Sequence, residues 1–255
     1  MTRFLAIAAI AAAAACAETP LSTAQVALLE KARTVALQYS KSLPDFICTQ
    51  FVRRVQDEYG TNRWIPIDRL TIKVSYSGRE EYQLMLRDGQ PVENPDLRSV
   101  GGAVSAGEFG SRLRDIFDPA SAADFQWKGW SSVHHHRVAV FSYRVSAAHS
   151  KNVITTGTTP NKNNAVVVGF HGEVSVEPES GAALRVTLTA EMPSNFPITS
   201  CSSWTEYEHR DVAGRPYLLP VTSETKLSRG RYQAANYIEF RDYRKFGSDT
   251  TITFK

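Results

Sequence analysis

The sequence predicts a mainly β (α+β) fold: a single, strongly curved antiparallel sheet or open barrel that carries two helices. Three observations support this. Apolar residues alternate with polar ones over much of the chain, the habit of antiparallel strands with one buried and one wet face. Turn signals recur between these short runs, as expected for many hairpin-linked strands. Two stretches break the period of two with capping signals and a spacing near four.

The first segment stands outside the fold. Arg3 followed by the apolar run Phe4 to Ala15 reads as a signal peptide over 1–16, too short to span a bilayer as a stable helix. Two cleavage readings compete. "AAAC" is a loose lipobox that would leave a lipid-modified Cys16 and anchor the chain to a membrane. "ACA" before Glu18 is an ordinary A-x-A site with cleavage after Ala17. Either way the protein is expected to be exported, periplasmic or anchored at the outer membrane, with 17–255 as one domain. No later apolar run approaches the length of a transmembrane helix.

The 255 residues carry a formal charge of +3, and loss of Arg3 leaves +2. The basic clusters, Arg229 with Arg231 and Arg241 with Arg244 and Lys245, are small and interleaved with acids. Nucleic-acid binding has no electrostatic footprint here. Cys48 and Cys201 are the cysteines beyond Cys16. In an oxidising compartment they are a disulfide candidate, whose long loop would restrict the unfolded chain by about 5 kcal/mol. The alternative is two separately buried thiols.

Ser22 and Gln25 fit a capping box, with Leu21 and Val26 at the staple positions. Leu28, Ala32, Val35, Tyr39 and Leu43 then recur at helical spacing until Pro44 ends the element. In "LTIKVSY", Leu70, Ile72, Val74 and Tyr76 share a face, and in "EYQLML" Tyr82, Leu84 and Leu86 do so before the Asp88-Gly89 turn. "VSAGEFGSRLRDIFDP" predicts a second helix over 106–117: Ser105 and Glu108 make the box, Val104 and Phe109 the staple, and Asp118-Pro119 the stop. Phe109, Leu113, Ile116 and Phe117 give it an apolar face. Strand pattern resumes near Phe125 and runs through Val145, "TTGTTPNKNN" reads as a hairpin tip, and a further strand turns at Pro178 to Gly181. It returns with Leu184, Val186 and Leu188 on one face, and strands follow at 203–210, 217–227 and 232–243.

The long first helix, the antiparallel run and the hairpin "VSVEPESGAALRVTL" resemble the Lol-type periplasmic lipoprotein carriers. "YEHRDVAGRPYLLPVTSETK" is similar to that superfamily's next hairpin. "SLPDFICTQ", "GGAVSAGEFGSRLRDIFDP" and "IEFRDYRKFGSDTTITF" are similar to segments of an uncharacterised bacterial family of exported proteins. The carrier resemblance implies a half-open β-barrel with the helices packed on its concave face, in which the carriers shelter acyl chains. The chain departs from the carriers at the lipobox, since a diffusing shuttle is not anchored, and by its central helix.

No constellation of residues predicts catalysis. "VHHHRVAVFSYRV" holds three consecutive histidines; if 134–145 is one strand, His134 and His136 share a face while His135 points away. A metal needs three or four converging ligands, and His149, His171 and His209 sit in no ligand pattern. These histidines therefore read as a solvated strand end, with neither metal nor cofactor expected. The apolar face formed by Leu70, Ile72, Val74, Tyr76, Tyr82, Leu84, Leu86, Leu184, Val186 and Leu188 is either a ligand cavity or packed core. The leading expectation is non-enzymatic binding of a lipid or other apolar ligand. A structural or protein-interaction module of the envelope is the alternative, and a metal-dependent hydrolase centred on His134 and His136 the third.

Overall fold

The computed structural model describes residues 20–101, 107–156 and 164–246. The signal segment 1–16 with Cys16, the box residue Ser105 and most of the "TTGTTPNKNN" tip lie outside the described residues.

Helix α1 (Thr23–Ser42) starts as the sequence dictates. The Ser22 hydroxyl accepts from the Gln25 amide at 3.3 Å, and the Gln25 side chain accepts from the Ser22 amide at 2.8 Å. Leu43, the residue before Pro44, is already extended. The buried stripe is Leu29, Ala32, Ala36 and Tyr39, slightly rotated from the expected one, and Val26 stays 44% exposed while Leu21 packs on the core.

Strands β1 (Phe46–Asp57), β2 (Ile65–Tyr76), β3 (Glu80–Arg87) and the short β4 (Gln90–Pro91) follow. After α2 (Ser111–Phe117) come β5 (Asp124–Val133), β6 (His136–Val145), β7 (Val153–Thr155), β8 (Ala165–Val167), β9 (Gly169–Val176), β10 (Ala183–Glu191), β11 (Ser200–Val212), β12 (Arg215–Arg229) and β13 (Tyr232–Lys245). Eleven of them form one curved antiparallel sheet in the order β4-β3-β2-β1-β13-β12-β11-β10-β9-β6-β5, without closing into a barrel. β7 and β8 make a separate ribbon at the expected hairpin. No helix of the described residues is long and apolar enough to cross a membrane.

Both helices lie against one face of the sheet, called inner here. α1 and the apolar side of α2 cover Phe141, Tyr143, Phe170, Val174 and Val186, while Phe109 stands over Phe46, Tyr76 and Phe240. α2 begins five residues later than expected. Its N-cap is Gly110, at a left-handed φ of 111°, with no side-chain cap. The competing partner is Glu80 on β3, whose carboxylate accepts from the amides of Gly107 at 3.3 Å and Phe109 at 3.2 Å and holds this segment out of the helix.

Elsewhere the backbone approaches itself closely. A Cβ on Gly172 of β9 would lie 2.0 Å from the Thr187 carbonyl oxygen and 3.0 Å from the Tyr143 hydroxyl. That hydroxyl instead donates to the Thr187 carbonyl at 2.7 Å.

Candidate functional site

The inner face is occupied by side chains at almost every position where a cavity was conceivable. Leu70, Ile72, Val74, Tyr76 and Leu84 are at most 3% exposed and pack with Phe46, Phe109 and Phe240. Val186 and Leu188 sit beneath the helices, Leu184 packs with Val133, Val138 and Ala182, and Tyr82 is half-buried against the β1–β3 cluster. Five tyrosine hydroxyls fix this interior by donating to carbonyls of other elements: Tyr39 to Leu218, Tyr76 to Ser40, Tyr143 to Thr187, Tyr207 to Glu108 and Tyr243 to Pro220. Burial pushes all five phenols above their ordinary pKa, so they stay neutral donors.

Leu86 does not share that face. Leu84 pairs with Ile72 but Leu86 with Thr71, so one extra residue on β3 bulges and turns Leu86 outward. A bulge shifts the parity of every residue beyond it, which alternation alone cannot register.

The inner face also carries charge. Arg54 of β1 meets Asp68 of β2 in a two-pronged pair, both contacts at 2.6 Å, with side chains 4% and 1% exposed. Arg54 also donates to the Gly101 carbonyl at 2.5 Å, and Arg87 reaches Asp68 at 2.9 Å. Burial works against the Asp68 charge, but hydrogen bonds and charge from Arg54, then Arg87, outweigh it and hold its pKa low. Glu80 goes the other way: burial, then the Glu108 charge, raises it despite its hydrogen bonds.

The disulfide expectation is overturned. Cys48 and Cys201 are free, on β1 and β11, with β13 and β12 between them. Cys201 lies opposite Leu227, which lies opposite Ala234, which lies opposite Gln56, eight residues along β1 from Cys48. Three strand spacings across and eight residues along make roughly 30 Å, far beyond the reach of about 7 Å between bridged Cα atoms. Burial raises both thiols, Cys48 to about 12.

The histidines are not one strand end. His134 and His135, with φ of 47° and 68°, are the two-residue turn joining β5 to β6, the handedness such hairpins need. The His134 ring lies between Glu206, 3.1 Å from Nε2, and Glu208, 3.2 Å from Nδ1; His136 Nδ1 is 2.7 Å from Glu177. Among the described residues no group of three or more His, Cys, Asp and Glu side chains is placed to hold a metal ion.

Space opens on the other, outer face. A groove of about 1040 Å³ crosses β2, β1, β13, β12 and β11, where the coiling of a long twisted sheet hollows the surface. Phe51 and Ile67, 37% and 38% exposed, line it together with Arg53, Arg69, Tyr237 and Trp204. Arg53 stacks on the Tyr237 ring at 4.2 Å and Arg185 on Trp204 at 4.9 Å. The strands here are inverted: Gln50, Arg54 and Asp68 point in, while Phe51 and Ile67 point out. The signal was present in "IPIDRL", because extending the Leu70–Ile72 parity backwards places Asp68 inside and both isoleucines outside.

No family model matches the chain, and no curated protein matches it. Solved structures similar to it include a DUF1329 family protein from Desulfovibrio piger ATCC 29098 (9% identity, 88% of this chain and 95% of that one, TM-score 0.37). A LolA superfamily protein from Nitrosomonas europaea is 12% identical over 89% of this chain and 95% of its own, with a TM-score of 0.36. A protein of the superfamily that the sequence resembles is among these structures.

Proposed function

We propose that this chain is a non-enzymatic binding protein of the cell envelope that holds an apolar or amphipathic ligand against the outer face of its sheet. One observation carries the reading. Phe51 and Ile67 stand exposed along a 1040 Å³ groove, on strands that bury Gln50, Arg54 and Asp68 instead. Natural sheets put apolar side chains on a wet face at a cost, and contiguous exposed apolar surface marks a binding surface. The groove's mix of aromatic rings and arginines matches the residue types that dominate binding energy. The filled inner face supports placing the ligand outside, and the export signal supports the envelope. Titration with a fluorescent long-chain fatty acid, alongside native mass spectrometry for co-purified lipid, tests it. Uptake should be lost in Phe51→Glu and Ile67→Glu; uptake insensitive to both, or no uptake at all, overturns it.

A second reading, a protein-interaction module, rests on β5. It is an edge strand of the sheet, and its Trp130 is 51% exposed beneath Arg137 at 3.8 Å. Open strand edges accept another strand. Capture of one envelope protein, abolished by Trp130→Ala with fatty-acid uptake absent, would favour it.

A further inference from the structure

Resting on the groove reading, the surface also points to which amphiphile is held. Toward β3 the groove meets a recess of about 270 Å³, with Phe51 and Thr71 common to both. Its apolar lining is Ile47, Met85 and Leu86. The bulge that turns Leu86 outward creates this wall. Two cations, Lys73 and Arg244, also line the recess against one acid, Asp242. Neither cation is in an ion pair among the described residues, whereas the neighbouring Arg241 is paired with Glu239 and Arg53 lies on Tyr237. An apolar slot beside two unneutralised cations is complementary to a molecule with a greasy tail and a negative head.

We propose that this recess takes the tail of a single-chain anionic amphiphile, with its carboxylate or comparable head against Lys73 and Arg244. The volume sits just below the range of about 300–1,000 Å³ usual for whole small-molecule sites, so it suits one tail and not two. Half-buried Lys73 can lay its methylenes along the tail while its ammonium meets the head.

The test is calorimetric titration of the full chain with decanoate, decanol and decyltrimethylammonium at pH 8, each below its micelle concentration. Decanoate should bind at least about tenfold more tightly than decyltrimethylammonium, a difference of about 1.4 kcal/mol. The Lys73→Gln/Arg244→Gln variant should bring decanoate down to the level of decanol and leave decanol unchanged. Leu86→Asn should weaken all three, with thermal unfolding confirming that each variant is folded. Equal binding of the three heads overturns this inference while leaving the groove reading intact. Binding of none, with no fatty-acid uptake, overturns both. Co-sedimentation with anionic phospholipid vesicles in the absence of decanoate binding would make a membrane surface the occupant and also overturn it.

Discussion

Replacing Asp68 with asparagine should be among the most damaging single-atom-scale changes in the protein. Asp68→Asn leaves the Arg54 guanidinium, 4% exposed, with the Gly101 and Val100 carbonyls but no counter-charge. Removing one partner of a buried pair costs about 3–5 kcal/mol, because the other charge stays buried and uncompensated. The Arg87 contact adds little to this figure, since its side chain is 48% exposed and such pairs are worth less than about 1 kcal/mol. With a urea slope near 3 kcal/mol/M, at the upper end for small proteins, the midpoint should fall by about 1–1.7 M. Equilibrium unfolding followed by tryptophan fluorescence measures it. Arg54→Met combined with Asp68→Leu should cost less than either single change, since both charges leave together. A midpoint shift below about 0.3 M for Asp68→Asn, or a double variant as weak as the singles, would refute the reasoning. The pH profile carries a second check. The Asp68 pKa is lowered by folding, so its stabilisation is present above the ordinary carboxylate value of about 4 and is lost as pH falls through the lowered one. Wild type should therefore lose more stability on acidification than Asp68→Asn.

Other changes test the interior independently. Glu80 is raised by burial and by Glu108, so the stability tied to its protonated form is present at low pH and lost as pH rises through its raised pKa. Glu80→Gln should flatten that decline in thermal melts across the weakly acidic range. Gly172→Ala should destabilise by more than the roughly 1–3 kcal/mol typical of overpacking, because the new methyl meets a backbone carbonyl at 2.0 Å; soluble yield and melting temperature report it. Cys48 and Cys201 should both remain as free thiols by non-reducing mass spectrometry. Cys48, 2% exposed and held at about 12, should resist alkylation until the chain unfolds.

Where a feature depends on neighbours in sequence, it was legible. The Ser22–Gln25 box and the Pro44 stop are local chemistry, and both stand in the structure. The alternation of Leu70, Ile72, Val74 and Tyr76 identified inward positions correctly, because the bulge beside Ile72 puts its extra residue on β3 and leaves the alternation of β2 unbroken. The failures come from distance. The start of α2 was misplaced because Glu80, 27 residues from Gly107, holds amides that a local box would have used. Leu86 was misplaced because a bulge is a property of a strand pair. The histidines were misjudged because a turn and a strand end share polar composition, and residue type outside glycine signals positive φ only weakly. The outer groove went unread because β1 inverts the usual polarity, with Gln50 and Arg54 inward and Phe51 outward, so no clean alternation announced a strand at all.

The first and last described strands lie side by side at the middle of the sheet, β1 against β13 over most of their length. Some 190 residues of chain must be made before this seam can zip, which places the molecule among slow, non-local folders. Until then its two wings, β2 to β4 and β5 to β12, have no common border. A polypeptide arranged this way stays threadable until its tail arrives, and any truncation ahead of Tyr232 should yield two disjoined fragments of sheet rather than a smaller version of the whole.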